Sequence, residues 1–215
     1  LSRTATSTFE RHRRAVRAGY GLRRKHTATA DDVWELYAPR GGRAVVCGSP
    51  EQVDEWLAQQ PAPQDDPRWL AWCECVTERA DHVRDTMLHG IENPWGPEGL
   101  AAAERATLAL LPNVKAFLHL DHRRTVEDIA SYLGEVFRRR FGGRWVNQPH
   151  QDVWGVGYGP VVVLDVIDMP IEAHMLVLEA VIERCGRSWA QTWALCEKPA
   201  AYTSAAQAFG IGEWA

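Results

Sequence analysis

The stretch from Thr125 to Trp145, TVEDIASYLGEVFRRRFGGRW, reads as one amphipathic helix, a glycine stop and the start of a strand. Ile129, Tyr132, Leu133, Val136 and Phe137 fall at i, i+3, i+4, i+7 and i+8, one face of a 3.6-residue period. Thr125 is expected as the N-cap, with Asp128 three residues on as in a variant capping box. Arg138, Arg139 and Arg140 crowd the last turn, where cations complement the helix dipole. Gly142 and Gly143 suit the left-handed backbone that ends a helix. Gly134 inside the helix costs about 1 kcal/mol relative to alanine. The expected compensation is a neighbouring backbone packed close against it.

Around this stretch the chain reads as α+β: a small N-terminal module with a three-stranded sheet and a helix, then a mostly helical domain with a short sheet. Residues 1–60 form the module. It has a basic helix from Thr8 to Ala18 and strands at Tyr20–Lys25, Val33–Tyr37 and Arg43–Cys47. The turn Pro39-Arg40-Gly41-Gly42 is expected to join the last two strands. Ser49 caps a following helix that has Pro50 at its first position and carries Val53, Trp56 and Leu57 inward. Residues 61–67 are Pro-rich and polar and are expected as a linker. Residues 68–215 form the larger domain, with helices over 68–91, 98–111 and 125–141. Strands follow near 144–147 and 161–167. Asp168 is then expected to cap a last helix with Pro170 in its first turn and Ile171, Met175, Leu178, Ile182 and Cys185 on its buried face. Trp189, Trp193 and Cys196 continue that stripe beyond Gly186.

Composition narrows the function classes. A net charge of −4 argues against a protein that coats nucleic acid. Five cysteines, at 47, 73, 75, 185 and 196, do not form a disulfide framework. No apolar run has the length of a membrane span, and the Arg-rich first 30 residues lack an apolar signal core. A cytoplasmic bacterial protein with reduced thiols is expected, and no cofactor or metal is called for. Ten tryptophans are read first as core and second as binding surface.

Four constellations carry candidate chemistry. Glu78, His82, Asp85 and His89 lie within about 60° of arc on the long helix. Carboxylate and imidazole groups on such a face resemble the ligand sets of helical metal sites. Trp69, Trp72, Val76, Ala80, Val83, Met87 and Ile91 occupy the opposite face, so the plainer reading of the stripe is solvent. His119, Asp121 and His122 make part of the H-x-H-x-D-H string of metallo-β-lactamase-like hydrolases, but Phe117 stands where the first histidine would be. That leaves a polar turn as the simpler reading. Gly155, Gly157 and Gly159 precede an apolar strand, whereas a dinucleotide loop follows a strand and opens a helix. The basic cluster Arg11, Arg13, Arg14, Arg17, Arg23, Arg24 and Lys25, opposed only by Glu10, is placed to meet phosphates or an acidic partner.

The run Tyr132-Leu-Gly-Glu135 through Gly142-Gly-Arg-Trp145 resembles a group of poorly characterised bacterial α+β domains in which a YLGE helix enters a GGxW strand. The likeness covers about residues 95–185, and similar domains occur among predicted immunity proteins of bacterial toxin systems. It implies a protein that binds and blocks another protein, and it transfers no catalytic residue. The leading expectation is therefore a non-enzymatic binding protein with an exposed apolar patch rimmed by charge, Arg138, Arg139 and Arg144 being further candidate contacts. An enzyme built on residues 78, 82, 85, 89, 119, 121 and 122 is one alternative. A nucleic-acid binder through residues 11–25 is the other.

Overall fold

The computed structural model describes residues 7–25, 33–37, 44–166 and 170–198, apart from the side chains of Phe9, Arg17 and His150. The chain divides into two compact units. Residues 1–71 with 147–159 form the first, and residues 72–146 with 160–215 the second.

In the first unit, helix α1 (Thr8–Arg17) starts at Ser7, whose hydroxyl accepts from the Glu10 amide at 3.1 Å. Strands β1 (Gly21–Lys25), β2 (Val33–Tyr37) and β3 (Ala44–Gly48) form an antiparallel sheet in that order. Helix α2 (Pro50–Gln59) begins with a complete capping box between Ser49 and Gln52 and with Pro50 in its first turn. Ala15, Trp34, Leu36, Val53 and Leu57 form the core, and Tyr20 and Trp56 close over it edge to face at 5.0 Å. Every element expected here is present within a residue or two. The turn Pro39–Gly42 lies outside the described residues.

The segment expected as a linker holds a 3-10 turn, Pro63–Asp65. The Gln64 amide brackets the backbone of Asn147, donating to its carbonyl and accepting from its N–H, both at 2.9 Å. The Asn147 side chain in turn donates to the Pro63 carbonyl at 2.7 Å and accepts from the Gly159 amide at 3.0 Å. These bonds tie both ends of the 147–159 loop. Within it the Asp152 carboxylate accepts from the amides of Trp154, Gly155 and Gly157 at 3.1, 2.7 and 2.7 Å. The glycine-rich stretch is thus a turn wound round the chain's own carboxylate.

Next come helices α3 (Pro67–Met87), α4 (Pro97–Leu110), α5 (Val114–Leu118) and α6 (Arg123–Phe141). Strands β4 (Arg144–Asn147), β5 (Pro160–Val163) and β6 (Pro170–Glu172) form a second sheet in chain order. Helices α7 (Ala173–Glu183) and α8 (Ser188–Glu197) follow. In the second unit α6 is the axis: every residue from Val126 to Phe137 is buried, and α4, α5, α7 and β5 pack around it.

Five sequence expectations are corrected by the structure. Thr125 does not cap α6; a 3-10 turn at Leu120–His122 feeds directly into the helix, so Thr125 lies in its first turn, and Asp128 faces Arg79 at 3.9 Å instead. Gly134 faces the Trp145 indole rather than a backbone. Pro170 lies in β6, not in a helix, and α7 starts only at Ala173; Asp168 is outside the described residues. The buried face of α7 is His174, Leu176, Val177, Ala180 and Val181, while Ile182 is 61% exposed. The α3 stripe ends earlier than expected, since Leu88, not Ile91, takes the last core position.

The glycine correction has a measurable consequence. Alanine at 134 gains about 1 kcal/mol of helix propensity, but its methyl group would overlap the Trp145 ring. Overpacking of this kind costs about 1–3 kcal/mol. Gly134→Ala should therefore lower the urea midpoint, and in a Trp145→Ala background the same change should be neutral or stabilising.

Candidate functional site

The first two turns of α6 carry Arg123, Arg124, Glu127 and Asp128 on flanks not occupied by its apolar stripe. Glu127 is enclosed between α3 and α7. Its Oε2 accepts from the Trp72 indole N–H at 2.7 Å and from Arg79 Nη1 at 3.2 Å, and His174 Nε2 lies 3.6 Å away. Burial works against the Glu127 charge, but His174, Trp72 and Arg79 outweigh it and hold the carboxyl below its ordinary range. Glu135 repeats the pattern two turns on: it accepts from Arg138 at 2.7 and 2.9 Å, from Arg139 at 3.3 Å and from the Trp145 indole at 2.9 Å. The two indoles that these glutamates hold meet edge to face at 4.9 Å.

Beside Glu127, α3 and α6 line a cleft of about 550 Å³. Glu78, Asp81, His82 and Asp85 come from α3 and Asp128 from α6, with Arg79 and Arg124 among them. Arg84 pairs with Asp81 and Asp85, each at 2.7 Å. Burial raises the Asp128 carboxyl above its ordinary range, and Arg79, His82 and Arg124 offset this only in part.

Three members of the expected stripe, Glu78, His82 and Asp85, therefore share one cleft wall while remaining exposed. His89 lies past the end of α3 and does not line it. His119, Asp121 and His122 form an exposed to half-buried turn, in which His119 Nδ1 accepts from the Asp121 amide at 3.3 Å. They do not join the α3 residues at the cleft. Among the described residues no three His, Cys, Asp or Glu side chains are placed to hold a metal ion.

The basic cluster has partners within its own unit. Arg11 is buried, forks onto Asp54 at 3.0 and 2.8 Å and lies 5.5 Å from the Trp34 ring centre. Arg14 reaches the same Asp54 at 3.7 Å. Arg23 and Lys25 lie 3.7 and 3.6 Å from Glu35, and Arg24 lies over Trp34. Arg13 is half-buried, and the Arg17 side chain is outside the described residues. In the second unit Arg138 and Arg139 belong to Glu135, Arg139 also stacking on Trp95 at 3.6 Å, while Arg144 is exposed on β4.

No family model, curated protein or solved structure matches the chain. Among the described residues no helix is long and apolar enough to cross a membrane.

Two features escaped sequence reasoning. One is the polar row Glu127, Ser131 and Glu135, spaced by four and thus on one flank of α6. Read as a solvated flank it is ordinary; it is buried because Glu127 pairs with Trp72, 55 residues away, and Glu135 with Trp145, ten residues on. The other is an apolar ridge. Leu110, Val114, Leu118 and Leu120 are 45, 37, 49 and 75% exposed. Four of the nine exposed large apolar residues among the described ones thus fall within eleven positions. Lys115, His119 and Asp121 stand exposed between and beside them.

Proposed function

We propose that this chain is a non-enzymatic binding protein that engages another protein, in the manner of an immunity protein, through the ridge at residues 110–120. The observation that carries this reading is the concentration of exposed Leu110, Val114, Leu118 and Leu120 on one short stretch with charged neighbours. Single exposed apolar residues are ordinary on a protein surface, whereas a concentration of them rimmed by charge is the composition of a docking face. Two further observations favour binding over chemistry or nucleic acid. The carboxylate and histidine candidates are split between the α3 cleft and the 119–122 turn. Arg11, Arg14, Arg23 and Lys25 already face carboxylates of their own unit.

The test is capture of a nuclease-resistant partner from lysate of the native host, followed by affinity measurement with the Leu118→Asp/Leu120→Asp variant. Both positions are exposed, so the double change should leave the circular dichroism spectrum and Tm unaltered. Affinity should fall at least about tenfold, the equivalent of about 1.4 kcal/mol. Unchanged affinity, or capture of nuclease-sensitive material only, would sink the reading.

A further inference from the structure

We infer that Arg184 is the residue that positions the ridge for its partner, by clamping the bend between α4 and α5 from the end of α7. Three hydrogen bonds carry the inference. Arg184 Nη2 donates to the Leu108 carbonyl at 3.0 Å, and Nη1 donates to those of Leu111 and Pro112 at 3.1 and 2.9 Å. The last carbonyls of an α-helix have no partner within it. Helix α4 ends at Leu110, with Leu111 as its C-cap. The residue four places after Leu108 is Pro112, which has no N–H to give, so Arg184 supplies the donor that the helix lacks. Asn113 then opens α5, its side chain accepting from the Ala116 amide at 3.0 Å. The bend at residues 111–113 therefore sets how Leu110 on α4 stands relative to Val114 and Leu118 on α5.

The backbone at Arg184 shows that its own turn does not call for arginine. It is left-handed, at φ 51° and ψ 26°, and among the described residues it is the only one other than glycine with positive φ. Glycine or asparagine is the usual choice at such a helix end. Neither could reach three carbonyls across from α7. A guanidinium can, because its planar fork offers several donors in fixed directions, where an ammonium is a single point. Arg184 is exposed, and the segment it holds is anchored in the core by Leu111 and Phe117. The clamp thus fixes the orientation of the ridge rather than the fold. A face already held in its bound shape avoids the ordering cost of association. The inference deepens the binding reading and rests on it for the partner; the clamp itself is testable without one.

The test is Arg184→Gly in the full chain, followed by Tm and by amide hydrogen exchange. Glycine suits the left-handed backbone at 184, so Tm should stay within about 3 °C of the parent's. The Leu111, Phe117 and His119 amides bond to the carbonyls of Thr107, Asn113 and Ala116. Their exchange should nevertheless accelerate at least about tenfold. Affinity for the captured partner should fall about five- to tenfold although no apolar residue of the ridge has changed. A residue that only ended α7 would leave those three amides and the affinity at parental values, and that result overturns the proposal. A fall in Tm beyond the stated margin overturns it as well, by making Arg184 part of the fold. The two readings fail separately. Parental affinity in the Leu118→Asp/Leu120→Asp variant sinks the ridge as a docking face, while unchanged exchange in Arg184→Gly sinks the clamp alone.

Discussion

Glu127→Ala should lower the stability of the second unit by about 3–5 kcal/mol, the usual cost of removing one partner from a buried ion pair. The change leaves the Trp72 indole N–H without its acceptor and leaves Arg79 and His174 beside an empty space. Urea denaturation followed by circular dichroism measures the loss; a cost below about 1 kcal/mol, that of an ordinary surface pair, would show that Glu127 is not a hub. The pH dependence has a definite sign. The folded carboxyl of Glu127 is held below its unfolded value. Its contribution is therefore present above the unfolded carboxylate range and is lost as pH falls through the folded pKa. Glu127→Gln removes that titration, so its stability should fall less steeply than the parent's on the acid side.

Glu104→Ala should produce a loss of similar size by a different route. Glu104 on α4 is fully buried and caps another helix: its two oxygens accept from the Ser188 and Trp189 amides at 3.0 and 3.1 Å. Arg187, at the N-cap of α8, makes no side-chain cap of its own, so the carboxylate serves the first-turn amides and complements the positive end of the helix. Two buried donors left unpaired cost about 1–3 kcal/mol each. Glu104→Gln keeps one good acceptor and should lose about half as much. If the alanine variant unfolds at the parental midpoint, α8 does not depend on this cap.

The elements of the first unit and α6 were legible because local signals agree. Gly and Pro punctuate short strands, Ser49 and Pro50 announce α2, and Gly142-Gly143 stops α6 at φ of 71° and 112°. Helix α7 was legible as a helix but not in its facing. AHMLVLEAVIE is apolar nearly all round, so Met175, Leu178 and Ile182 compete with Leu176, Val177 and Val181 for the buried side. The competition is settled by packing against α4, α5 and α6, which no spacing within α7 encodes. The cleft was half legible for the same reason. Spacing alone places Glu78, His82 and Asp85 on one line, but Asp128 joins them from a helix more than forty residues away. Its position after Thr125 also mimics a capping box, a local motif that the preceding 3-10 turn displaces. The ridge was foreseen only as a kind of surface; nothing in LPNVKAFLHL tells which leucines the core leaves out.

The enclosure of α6 has an evolutionary corollary. From Val126 to Phe137 the helix has no side turned to water, being apolar along one flank and tied down by Glu127, Ser131 and Glu135 along another. Almost any substitution there is charged against the fold itself. The exposed residues on the outer wall of α3, and Leu110, Val114, Leu118 and Leu120 between the buried Leu111 and Phe117 and beside them, carry no such obligation. Substitutions at the exposed face proposed to meet a partner therefore leave the axle undisturbed, and what that face recognises is free to change without refolding the helix beneath.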